Sequence, residues 1–520
     1  MTVLPFPLRS QPLGEQLRRQ GLPGINWWLT ALFLIGVLSR WATRSQLVQS
    51  WDAGNFVLAL SEFDLLRHQP HLPGVFWLLI VLGRGCLLLT GGNGVAALEL
   101  VNALVSAAAL PCGWYLGFRC GGLRTAWWMV ALLFSAPVLW YYASQPLSYG
   151  VELGWVVAIG CCLWCVAAGD RPFLIPLVLL MATAGGIRPN TPLFLLPLVV
   201  VGCLRGWSRG IEPWRFGAGV LLGGGILAAW LAGFLAEAGG LEEFWPLLML
   251  WKGLHTGQAV SEGPLVTGWG LVKTIALTAP AAIALLLLRW QQRGSLAADP
   301  WRAWFLGLWI LPSCLYLVLV HFTRMGHATT MLPALVLALA LRLGATGPRH
   351  GWGRWPRDLL LVLLIQCLLF LVAPGHRFAS NLREYDREWG RAIEAVRPFD
   401  PATTLVVTTG RSPQRAYRLP SVHLSEYDHG EADLQLDQLR ERIEVRPPLE
   451  RVVFIDRALA LTPPALPGVR SETLIPDRLQ LIEVPVPPGG LSVGRRQVAP
   501  LAPANPPGSP PASPTQRPPS

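Results

Sequence analysis

Apolar runs of about 20 residues recur through positions 25–375, separated by short loops rich in arginine. A run of that length crosses about 30 Å of hydrocarbon as a helix, and lipid leaves a spanning backbone no alternative to a helix or a closed barrel. The chain is therefore expected to be an α-helical polytopic membrane protein. Its composition agrees: of 520 residues, 52% are hydrophobic and 14% charged, against roughly 25% charged in soluble domains. A formal net charge of +11 would raise nucleic acid for a soluble protein. Here the arginines sit between apolar runs, where they set orientation in the membrane, and no nucleic-acid partner is expected.

Spans are predicted at 25–42, 95–117, 126–143, 147–168, 172–187, 191–204, 216–236, 266–288, 303–321, 328–345 and 358–374, about eleven in all. The polar segment 1–24 carries Arg9, Arg18 and Arg19 and no small-residue cleavage site follows the first span, so it reads as the cytoplasmic flank of a retained anchor. The run 73–90 is apolar enough to cross, yet counting it would put the loops of Arg119/Arg124, Arg205/Arg209/Arg215, Arg289/Arg293/Arg302 and Arg349/Arg354/Arg357 outside. Laid in the interface, it leaves all of them inside. Residues 44–94 then form one external loop with two juxtamembrane helices, near 53–66 and 73–89; Phe56, Leu60 and Phe63 share one face of the first. A second external loop, 237–265, is expected to hold a short helix near 244–254.

Beyond Pro374 the composition turns ordinary. Residues 376–488 read as a small extracytoplasmic α/β domain, with a helix at 382–396 and strands at 404–409, 451–456 and 479–484. The stretch 489–520, rich in proline, serine and alanine, reads as a disordered tail. All nine cysteines lie at or before Cys367, mostly within apolar runs. Cys161, Cys162 and Cys165 lack the second pair that zinc sites use and read as small hydrophobes.

The chemistry gathers around the loop after the first span, Trp51-Asp52-Ala53-Gly54-Asn55-Phe56 and His68-Gln69-Pro70-His71-Leu72-Pro73-Gly74. Asp52 stands just before a helix-like run, where an aspartate is often only an N-cap. At the outer membrane surface the same carboxylate can take a proton from an acceptor hydroxyl, so both readings stand. His68 and His71 are open to three roles: metal ligands with Asp52, phosphate or substrate contacts, or interfacial histidines held by backbone. Other polar residues fall at the outer ends of spans: Glu99 and Asn102, Tyr149 and Glu152, Arg188 and Asn190, and His321, Arg324 and His327. Ionisable groups are costly at membrane depth and usually functional. Arg188 and Arg324 break the positive-inside pattern, and an anionic phosphate would account for them. A cavity with an acid and two arginines suits a sugar donor carried on a lipid phosphate.

At these residues the chain resembles the GT-C membrane glycosyltransferases, nearest the bacterial branch that holds protein O-mannosyltransferases and aminoarabinose transferases (glycosyltransferase family 39-like). The resemblance rests on the acidic motif around Asp52, on the HQPHLPG step into the second juxtamembrane helix, on Gly186-Ile187-Arg188-Pro189-Asn190, and on the late turn LVHFTRMGHATTMLPAL. It covers about residues 25–375. It implies a plasma (inner) membrane enzyme that moves a sugar from a polyprenyl-phosphate donor to an envelope lipid, glycan or protein, inverting the anomeric centre. Asp52 would be the general base, Arg188, Arg324 and His71 the donor-phosphate contacts, and His68, Glu152, Tyr149 and His327 substrate contacts. No cofactor is required beyond a divalent metal that Asp52, His68 and His71 leave open. The chain departs from relatives in reading Asp52-Ala53 where Asp-Glu is common, and Arg324-Met325-Gly326-His327 where Gly-Gln-Pro-Gly-Tyr is common. Two other classes stay on the table: a transporter or flippase of lipid-linked sugars, which would not need Asp52 as a base, and an inactive scaffold. A glycosidase using Asp52 with Glu62 or Asp64 gives no reason for so many spans.

Overall fold

Helices occupy the apolar runs and strands occupy the β-branched segments near the end, as the two kinds of periodicity require. The computed structural model describes residues 25–66, 69–70, 76–289, 299–345, 355–374, 378–400, 402–409, 423–427, 443–445, 449–456, 468–476, 479–488 and 491–493. His68 and His71 lie outside the described residues. The chain divides into two compact units, residues 1–390 with 413–418, and 391–412 with 419–520; the compositional boundary read from the sequence lies at 375.

The first unit opens with α1 (Ile25–Ala42), α2 (Trp51–Ser61), α3 (Trp77–Leu87), α4 (Gly94–Gly121), α5 (Leu123–Ser135), α6 (Pro137–Ala143) and α7 (Tyr149–Ala168). It continues with α8 (Leu174–Ala184), α9 (Asn190–Ser208), α10 (Pro213–Ala238), α11 (Leu241–Thr278), α12 (Pro280–Leu288), α13 (Pro300–Leu319), α14 (Leu332–Ala345) and α15 (Trp355–Val372); α16 (Ala379–Val396) follows. Among the described residues six helices are long and apolar enough to cross a membrane, and two bent pairs bring this to eight. The pairs are α5 with α6, bent 55°, and residues 263–278 of α11 with α12, bent 84°. Both breaks fall at a proline, which removes an intrahelical hydrogen bond and clashes with the preceding turn. Three shorter apolar helices, 27–42, 171–184 and 332–345, coincide with the remaining predicted spans, and a fourth, 77–90, with the run placed in the interface.

Burial sorts the helices. In α7 83% of the apolar window is buried, and in α4 61%, whereas in α10 it is 6%. An apolar helix left uncovered by protein fits a lipid-facing position. The two central helices approach closely because α7 carries Gly150 and Gly154: a side chain at Gly154 would overlap the Val105 carbonyl of α4, and one at Gly150 the Asn102 amide. Small residues four apart are the usual means of bringing membrane helices into backbone contact. Asn102 completes the seam, donating to the carbonyls of Leu98 (3.0 Å) and Leu147 (2.7 Å) and accepting from the Val151 amide at 3.1 Å. Asn102, grouped from its sequence position with the cavity residues, is thus a buried clamp between helices, and Glu99 meets Arg44 at 3.7 Å.

The juxtamembrane helices differ from expectation in extent. The first spans Trp51–Ser61 and stops before Leu66, because the Glu62 backbone is extended. The second starts at Trp77, followed by a 3₁₀ turn, Leu88–Thr90. Arg84 of α3 donates to the last carbonyls of α2, Leu60 at 2.9 Å and Ala59 at 3.1 Å. A guanidinium at a helix C-terminus satisfies orphan acceptors and complements the dipole. The loop ahead of α2 is held as well: the amides of Gln46 and Leu47 donate to Asp386, at 2.7 and 3.1 Å. The expected short helix at 244–254 is the first part of α11, which is interrupted only at Gly263, where φ is 76°.

The second unit carries a five-stranded sheet in the order β2-β1-β4-β6-β5, from β1 (Thr404–Thr409), β2 (His423–Tyr427), β4 (Arg451–Asp456), β5 (Arg470–Ile475) and β6 (Leu479–Pro485). Strands β2, β1 and β4 are parallel, with Val406 opposite Val453; β6 runs antiparallel to both β4 and β5. Val406, Val452, Val453, Ile455 and Val484 are buried, so the apolar central strands are covered, as parallel strands require. A separate antiparallel pair joins β3 (Ile443–Val445) to β7 (Leu491–Val493). That last strand lies within the stretch read as tail: its Leu-Ser-Val alternation is short, and only pairing with Ile443–Val445 makes it a strand.

Candidate active site

Asp52 sits in the first turn of α2, but it is not the cap. Ser50 holds that position, its hydroxyl accepting from the Ala53 amide at 3.2 Å. With a serine satisfying the orphan amide, the Asp52 carboxylate is released from that duty and projects into a cleft. Its Oδ2 accepts from Arg324 Nη1 at 2.7 Å. The two residues stand far apart in sequence. Arg324 precedes the 3₁₀ turn Met325–Thr330, which links α13 to α14. The Asp52 carboxylate is the main influence raising the Arg324 pKa above its usual value, so this guanidinium stays cationic throughout the physiological range.

The second arginine has its own carboxylate. Arg188 lies in the tight turn between α8 and α9, where its amide donates to Ala184 at 3.0 Å. Its Nε stands 3.2 Å from Glu152 Oε2 in α7. Its Nη1 donates to the Ser148 hydroxyl at 3.3 Å, and its guanidinium lies over the Tyr149 ring at 4.4 Å. Burial works against the Arg188 charge, but Tyr149 and Glu152 outweigh it and the pKa is raised on balance. The other oxygen of Glu152 accepts from Thr191 at 2.7 Å and Thr330 at 2.6 Å. A buried ion pair is tolerated where such bonds satisfy its remaining lone pairs.

These groups share one cleft. Asp52, Tyr149, Glu152, Arg188, His321 and His327 supply its polar lining, and Phe56, Phe76, Phe194 and Tyr316 an aromatic wall. The His321 and His327 rings lie 4.9 Å apart, and His327 is 6.1 Å from Tyr149. Gly326 is essential to this packing: a side chain there would begin 2.8 Å from three carbons of the Tyr149 ring. Of the residues predicted from the sequence, the structure brings together Asp52, Tyr149, Glu152, Arg188, Arg324 and His327. His68 and His71 fall outside the described residues. Ser148, Thr191, Thr330 and the aromatic wall were not anticipated; hydroxyls and phenylalanines in apolar helices carry no signal until the fold gathers them.

A metal fits the described residues poorly. No group of three histidines, cysteines or acids among them is placed to hold one, and the Asp52 carboxylate already faces a guanidinium. Cys161, Cys162 and Cys165 are buried free thiols in α7.

The electrostatics run along the helices. On α7, Glu152 lies near the start and Asp170 just past the end, and Asp170 pairs with Arg119 at 2.8 Å at the end of α4. Arg171 pairs with Glu212, also at 2.8 Å. The cleft thus lies at one end of α7, and the ion pairs of Arg119 and Arg171 at the other.

No protein-family model matches the sequence, and no curated protein matches it. Among solved structures, that of ArnT from Cupriavidus metallidurans bound to undecaprenyl phosphate is similar over 88% of this chain and 98% of that one, with a TM-score of 0.61 and 12% identity. The same protein in the apo state gives a TM-score of 0.57 at the same identity and coverage. The chain has the fold of that structure: mostly helical, with apolar helices long enough to cross a membrane and a small sheet-bearing unit. The likeness read from Asp52, Arg188 and the late turn agrees with it.

Proposed function

We propose that this chain is an integral membrane glycosyltransferase that moves a sugar from a polyprenyl-phosphate donor to an envelope lipid, glycan or protein, with inversion at the anomeric carbon. The observation that carries the reading is an aromatic-walled cleft lined by Asp52, Glu152 and Arg188, with Arg324 paired to Asp52 at its edge. The shared fold with a protein bound to undecaprenyl phosphate supports a lipid-phosphate donor. Asp52 accepts the proton of the acceptor hydroxyl as its oxygen attacks the anomeric carbon. The bond from that carbon to the phosphate oxygen breaks on the opposite face, and the electron pair leaves with the lipid phosphate. Arg188 and Arg324 stabilise the charge that develops there. The aromatic wall suits the sugar face and the first isoprenes of the tail.

The cleft is proposed to open on the outer side of the plasma membrane, with the amino terminus and the arginine-rich ends inside and the sheet-bearing domain outside. In that orientation α2 and α3 lie in the interface.

The test is complementation. Strains lacking the gene are profiled by mass spectrometry for envelope glycolipids and glycans, then restored with wild type or with Asp52→Asn. One sugar increment should vanish, return with wild type, and fail to return with a well-expressed Asp52→Asn, whose turnover falls by about 10²–10⁴, the usual worth of a general base. Full restoration by Asp52→Asn overturns the assignment and moves the transporter reading forward.

A further inference from the structure

We propose that Glu152 is a positioning residue that sets the orientation of both arginines in the cleft and does not itself touch the sugar; this rests on the reading of the cleft as a polyprenyl-phosphate site. The sequence places Glu152 among substrate contacts. In the structure its side chain is 2% exposed, and both oxygens face protein.

The partners decide the matter. Oε2 meets the Arg188 Nε at 3.2 Å. Oε1 accepts from Thr191, in the first turn of α9 and directly after the Arg188-Pro189-Asn190 turn, and from Thr330, which ends the 3₁₀ turn opened by Arg324. A single carboxylate is thus bonded to both segments that carry the cations. Ser148 fixes a second nitrogen of Arg188, and Tyr149 covers its flat face, so the guanidinium is left with one orientation. Tyr149 in turn fills the space above Gly326, tying the Arg324 turn to the same helix. A planar guanidinium recognises phosphate through directed, often paired hydrogen bonds, so aligning it is worth more than merely supplying positive charge.

The experiment measures binding of undecaprenyl phosphate to the full chain in lipid nanodiscs, with wild type, Glu152→Gln, Arg188→Gln and the double variant. Glutamine keeps an acceptor for the two threonine hydroxyls but turns a neutral amide toward Arg188. Binding should weaken roughly tenfold in Glu152→Gln, as the buried ion pair that holds Arg188 is lost. The double variant should bind no worse than Arg188→Gln alone, since a residue acting through another adds nothing once that one is gone. Thr330→Val, which leaves every charge in place, should weaken binding by a smaller factor, and it keeps the proposal testable if Glu152→Gln does not fold. Wild-type binding by Glu152→Gln and Thr330→Val, or losses that add in the double variant, overturn the positioning role while leaving the cleft reading intact. Failure of wild type to bind undecaprenyl phosphate overturns both.

Discussion

Asp52 illustrates how a single neighbour changes what a residue can do. An aspartate at the start of a helix is ordinarily consumed by its own backbone, a reading that sequence position alone favours and that the place at the outer membrane surface sets beside the catalytic one. Ser50 takes the cap, and the carboxylate meets Arg324 instead. Asp52, Arg188 and Arg324 were legible because ionisable groups are rare in apolar sequence. Their pairings were not, since periodicity is blind to which distant loops converge. The same blindness hid Thr191 and Thr330, ordinary residues that matter only because Glu152 lies between them. Gly326 gives a sharp test at this scale. Gly326→Ala places a methyl against the Tyr149 ring, so Tyr149 or the turn must shift, and turnover should fall by about tenfold or more as the cations are displaced. The measurement is transfer rate beside melting temperature, with the latter expected to fall as well, since overpacking a buried contact costs about 1–3 kcal/mol.

Among the elements, α2 is the one whose placement the chemistry depends on most, and it is short. Eleven residues are too few for a stable isolated helix in water, so α2 is held by what surrounds it. Phe56 and Leu60 are buried, Asp386 receives the amides of the preceding loop, and Arg84 closes the far end. The capping role of Arg84 had no visible signature in the sequence, because its acceptors are backbone carbonyls. Arg84→Met keeps the aliphatic stem and removes both bonds. It should destabilise the unit by about 1–3 kcal/mol, seen as a lower melting temperature in detergent, and lower activity without changing the pH profile. Helix existence was legible nearly everywhere, as were β1, β4 and β6. The bends at Pro137 and Pro280 were signalled by the prolines themselves, but hydropathy windows smooth over them.

For the whole molecule, the placement of charge gives the testable statement. The cleft and the ion pairs of Arg119 and Arg171 occupy opposite ends of α7, and the proposed orientation puts the former outside. Alkaline phosphatase fused after Gly210 should be inactive and after Pro374 active, because the enzyme matures only outside the cytoplasm. The reverse pattern would invert the topology and place the cleft inside. The fold class followed from run length alone. The extra strands β2, β3, β5 and β7 did not, because short strands gain their identity from partners brought together by the fold, and β3 and β7, at three residues each, carry no period of their own.

The ion pair between Asp52 and Arg324 has a kinetic meaning on the proposed chemistry. A carboxylate held by a guanidinium is a poor proton acceptor, and a guanidinium held by a carboxylate is a poor anion trap. A phosphate entering the cleft competes for Arg324 and, to the extent that it succeeds, unmasks the base. Such coupling is reciprocal: whatever factor the anion adds to the readiness of Asp52, the readiness of Asp52 adds to the hold on the anion. The donor is then the natural first arrival and the acceptor the second. The spent lipid phosphate, still clasped by the same arginine, becomes the last to depart.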